Sequence, residues 1–86
     1  MHFLHAHLTD LDRHVAEASI PAGDKEVLRT LARTVADHAD SGAHDKDALA
    51  KVADDVRSAA FRYEASHPRI AATLSSLAQG LLALGI

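Results

Sequence analysis

Apolar residues recur along the chain in alternating steps of four and three, the spacing that keeps one stripe on one face of an α-helix. Leu4, Leu8, Leu11, Val15 and Ala18 form the first stripe and predict a helix from about His2 to Ala18. Ser19-Ile20-Pro21-Ala22-Gly23 interrupts it, because a proline drives the residue before it toward extended geometry. Leu28, Leu31, Val35 and then His38 form a second stripe, on a helix that starts near Pro21 or Asp24 and ends near Ala39. Proline is tolerated in a first turn, and Asp24 and Glu26 complement the positive end of that helix. Ser41-Gly42 stops it, with Gly42 suited to a left-handed cap. Leu49, Val52, Val56, Ala59 and Tyr63 predict a third helix from about Asp45 to Ala65, and Ile70, Leu74, Leu77, Leu81 and Leu84 a fourth that begins at Pro68. Short connections make consecutive helices antiparallel neighbours. The expected fold is a single all-α domain over residues 1–86, either a four-helix antiparallel bundle or paired helical hairpins. The pattern leaves open whether the chain turns back fully at His67-Pro68.

The fourth helix differs from the others. Arg69 is its one charged residue, the positions flanking its stripe are small (Ala71, Thr73, Ala78, Gly80, Gly85), and Leu82 lies off the stripe. A helix that is apolar most of the way round is buried on most sides, and a short chain offers few places for that. Phe61, opposite the third stripe, and Phe3, beside the first, also lack a core position. The expectation is a twofold homodimer with Phe3, Phe61, Ile70, Leu74, Leu77, Gly80, Leu81, Leu82 and Leu84 at its interface.

Composition sharpens this picture. Of 86 residues, 18 are Ala and 11 are Leu, while Phe3, Phe61 and Tyr63 are the only aromatics. A core built mostly of small side chains is thin, and association is a common remedy. Cysteine is absent, which removes disulfides and thiolate metal sites. The net charge of −3 argues against a nucleic-acid partner. Charge is also uneven: six Asp against Lys46 and Lys51 between Asp37 and Asp55 give −4, and Arg57, Arg62 and Arg69 against Glu64 give +2 beyond it. The first residues lack a positively charged start and an unbroken apolar run, so a cytoplasmic location is expected. Ile70 to Ile86 is too short and too polar for a membrane span.

The string Tyr63-Glu64-Ala65-Ser66-His67-Pro68-Arg69-Ile70-Ala71, followed by Leu74, Leu77, Leu81 and a terminal Leu84-Gly85-Ile86, resembles the signature of a family of short bacterial helical proteins catalogued as domain of unknown function 4404. In that family an aromatic-Glu-x-x-His-Pro string precedes a Leu-rich last helix. Ile20-Pro21 and the Leu28, Leu31, Val35 run are compatible with a Pro-started helix found there. His2, His5 and His7 are not part of the pattern. The resemblance implies a helical fold and a cytoplasmic setting but no activity, and it supplies no catalytic residues.

Seven histidines are many for this length. His7, Asp10 and His14 share one helix face and make a candidate set for Zn²⁺, Cu²⁺ or Ni²⁺, against the plainer reading of solvated side chains on an amphipathic helix. Glu64 and His67 match the Glu-x-x-His spacing of di-iron helices, yet such a site needs two copies and two further carboxylates. His5 and His7 flank the first stripe and His38 sits on the second, so rings buried neutral there would make assembly sensitive to acid. The chain has no Gly-x-Ser-x-Gly turn, Walker loop or dinucleotide fingerprint. The expected function is therefore non-enzymatic and cofactor-free: an oligomeric interaction or scaffold module. It would bind itself, or another protein through an apolar helical face. The alternative is a His-based metal-binding or pH-responsive protein.

Overall fold

The computed structural model describes residues 2–40 and 45–84, with side chains from Leu4 onward. It contains α1 (His2–Glu17), α2 (Ala22–Asp40), α3 (Lys46–Tyr63) and α4 (Pro68–Leu84), and no strand among the described residues. The helix ends have local causes. Lys25 of α2 donates from Nζ to the carbonyl of Ala16 at 3.4 Å, covering an acceptor that the last turn of α1 leaves open. The amide of Lys25 donates to the Pro21 carbonyl at 3.1 Å and opens the ladder of α2. Asp45 caps α3: its backbone is extended (φ −70°, ψ 117°), and its carboxylate accepts from the Asp47 amide at 3.0 Å. The expected cap at Gly42 lies outside the described residues.

Residues 64–67 turn the chain from α3 into α4. The amide of His67 donates to the Tyr63 carbonyl at 2.8 Å, and the His67 carbonyl accepts the first bond of α4, from Ala71 at 3.1 Å. The reversal is complete, because α3 and α4 pack along each other more extensively than any other pair. The His67 ring bonds Ser66 Oγ at 3.1 Å and stands edge-on to Tyr63, with ring centres 6.0 Å apart.

All four helices contribute to one core, and α4 lies at its centre. Leu74, Leu77, Ala78 and Leu81 have no exposed surface. α4 packs chiefly on α3, then on α1, and also meets α2. Five residues of the expected interface, Ile70, Leu74, Leu77, Gly80 and Leu81, are buried within the single chain, where α3 and α1 pack against α4. Leu82 and Leu84 are half-buried and pack against the same core. Thr73, the buried polar residue of α4, bonds its hydroxyl to the Arg69 carbonyl at 2.9 Å.

α2 is peripheral. It packs mainly on α1 and only lightly on α3 and α4. Its buried residues are Leu28, Ala32, Val35 and Ala39, while Leu31 and His38 are half-buried. The stripe is thus turned from the expected one, putting alanines where α1 approaches. The molecule measures 36 × 20 × 20 Å with a radius of gyration of 12.1 Å, matching the roughly 12 Å of a compact chain of this length.

Candidate functional site

The histidine readings meet the structure first. His7, Asp10 and His14 lie on α1, all half-buried, but no group of three His, Asp or Glu among the described residues is placed to hold a metal ion. Asp10 instead accepts from Arg13, one turn along, at 3.0 Å. The expected metal set is therefore not assembled. His5 is exposed and reaches Asp40 at 3.1 Å, fastening the start of α1 to the end of α2. His38 sets its Nδ1 2.9 Å from the Thr34 carbonyl, so that nitrogen carries the proton. None of His5, His7 and His38 is a fully buried ring, which takes away the premise of an acid switch in the core. The side chains of His2 and Phe3 lie outside the described residues.

Glu64 and His67 are separated by the turn. His67 opens with His14, Glu17, Ser66 and Arg69 onto a cleft of about 290 Å³ beside the end of α1. Glu64 faces a different groove, between α3 and α4. The Glu-x-x-His spacing therefore does not converge on one point. That His14 and His67 line one cleft was not legible in the sequence, since it depends on how α1 docks on the α3–α4 turn.

A groove runs between α3 and α4. Its volume is about 380 Å³, and its lining includes Arg57, Ala60 and Phe61 from α3, Glu64 from the cap at its end, and Pro68, Ala71, Ala72 and Ser75 from α4. Phe61 is 81% exposed, the most exposed large apolar side chain among the described residues. Val27, the other one, is 56% exposed and lines a separate groove between α2 and α3, beside Asp55 and Arg62. α4 shows solvent only small or uncharged side chains after Arg69, namely Ala72, Ser75, Gln79 and Ala83. The groove between α1 and α2, about 450 Å³, carries Asp12, Arg29 and Arg33 instead. Arg57 and Glu64 stand at the two ends of the Phe61 groove, both exposed. Opposite charges one heptad apart around an off-stripe Phe were the available sequence signal for this arrangement.

Among the described residues no helix is long and apolar enough to cross a membrane. Neither the curated proteins nor the solved structures give a match to this chain. A family model does: that of a domain of unknown function, DUF4404, matches residues 4–86. The match spans all four helices and both walls of the Phe61 groove, and the chain belongs to the DUF4404 family.

Proposed function

We propose that the chain is a non-enzymatic protein-interaction module with a scaffolding role, and that the α3–α4 groove around Phe61 is its working surface. The observation that carries this reading is the 81% exposure of Phe61. A phenylalanine left in water forgoes about 1.5–3 kcal/mol that full burial supplies. Interface cores are rich in aromatic side chains and poor in charged ones. The small, uncharged wall of α4 leaves room for an apolar side chain or helix face to be laid along the groove. The non-enzymatic part rests on the sequence, which offers no nucleophile turn or phosphate loop. The reading includes a cytoplasmic location, which cell fractionation tests.

Photocrosslinking in living cells tests the surface. A photoreactive amino acid replaces Phe61 in one variant and the exposed Glu26 of α2 in another. The expected result is adducts of discrete mass from position 61 and none from position 26. No adduct from position 61, at equal expression and illumination, overturns the reading.

A further inference from the structure

The charges around Phe61 identify what occupies the groove. Arg57 in α3 and Glu64, the cap just past its end, line the same groove as Phe61, one turn before it and one turn after it. Glu64 keeps helical backbone angles (φ −55°, ψ −42°), so the seven-residue step sets the two about 10.5 Å apart along the helix axis, and they do not pair with each other. Neither takes an ion pair elsewhere among the described residues. Read from its start, the face is therefore positive, apolar, negative.

A face of this kind is complementary to itself when it is turned end for end. We propose that the occupant is a second copy of this chain, docked with its α3 antiparallel to the first and the twofold axis passing between Ala60 and Phe61. The axis is fixed by the charges, since it lies midway between Arg57 and Glu64. It sets Arg57 opposite the partner subunit's Glu64, and Glu64 opposite the partner subunit's Arg57. Each Phe61 then meets the partner subunit's Ala60, beside the small wall formed by Ala71 and Ala72. A parallel arrangement is disfavoured, because it brings Arg57 to Arg57 and Glu64 to Glu64. The contact is isologous, one patch used twice, and it closes at two subunits. The sequence expectation of a twofold dimer is kept, but its seat moves from the core of α4 to the outer face of α3. This inference rests on the proposed interaction role and names the partner.

A charge-swap series tests it, read by sedimentation equilibrium. Arg57 and Glu64 are exposed, so each variant is expected to keep the helical circular dichroism of the parent. The unaltered chain is expected at twice its 9.1 kDa mass. Arg57→Glu alone and Glu64→Arg alone each create two like-charge contacts per dimer, which weakens association by at least about tenfold. Both substitutions in one chain restore it. So does an equimolar mixture of the two single variants, which pairs one with the other. Self-association is overturned if the unaltered chain stays at 9.1 kDa up to millimolar concentration. The antiparallel register is overturned if the single variants dimerise like the parent, or if neither the double variant nor the mixture recovers. The crosslinking experiment separates the two claims. A monomeric chain that still gives heavier adducts from position 61 refutes the second copy and leaves the interaction role standing. A monomeric chain without adducts refutes both.

Discussion

α4 and α2 are similar in length and opposite in setting. α4 buries eight of its seventeen residues, and α2 buries four of its nineteen. α4 carries one charged residue, Arg69, while α2 carries Asp24, Lys25, Glu26, Arg29, Arg33, Asp37 and Asp40. The difference shows where a small bundle keeps its stability. α3 and α1 close over α4 from two sides, so its wide apolar face is satisfied within one chain. α2 leans mainly on α1 and keeps water on most of its circumference. The same arrangement shapes the groove proposed as the working surface. Because the leucines of α4 point inward, its outward strip is small and neutral, and that strip walls the groove in which Phe61 stands.

The largest way to break this comparison is to hollow out α4. Leu77 has no exposed surface, and Leu77→Ala is expected to destabilise the fold by about 2–5 kcal/mol in urea unfolding. A loss below about 1 kcal/mol would show that α4 is not the central helix. A matched pair on α2 sharpens the contrast. Leu28 is 1% exposed and Leu31 is half-buried, so Leu28→Ala is expected to cost about 2–4 kcal/mol and Leu31→Ala about 1 kcal/mol. Equal losses would mean that α2 packs on the stripe read from the sequence rather than the turned one. The smallest effect lies at the start of α2. A side chain added at Gly23 meets no atom within 4 Å, and Gly23→Ala is expected to raise stability by about 0.5 kcal/mol, chiefly by restricting the unfolded chain.

The helices were legible because each stripe had large residues at regular steps and a proline, glycine or aspartate near its ends. The stripe of α2 was misread for a definable reason. Leu31 and Ala32 are neighbours, about 100° apart on the helix, and hydrophobicity alone favours the leucine. Close approach to α1 favours alanine, and that preference exists only once the partner helix is in place. The wide burial of α4 was read correctly, but periodicity reports how much of a helix is covered and not which chain covers it. Phe61 was visible as an apolar residue without a core position. Its groove was not, because Pro68, Ala71, Ala72 and Ser75 reach it only through the complete reversal at His67-Pro68. The metal reading of His7, Asp10 and His14 followed correctly from helix spacing. In the structure the three are not gathered for a metal ion, and Asp10 accepts from Arg13.

The central claim is that Phe61 is bare on the single chain and covered in use. Hydroxyl-radical footprinting compares its oxidation in dilute purified protein and in intact cells, with the buried Tyr63 as an internal reference. The account predicts strong oxidation of Phe61 in the dilute chain, marked protection in cells, and little oxidation of Tyr63 in either. Equal oxidation of Phe61 in both settings would contradict it.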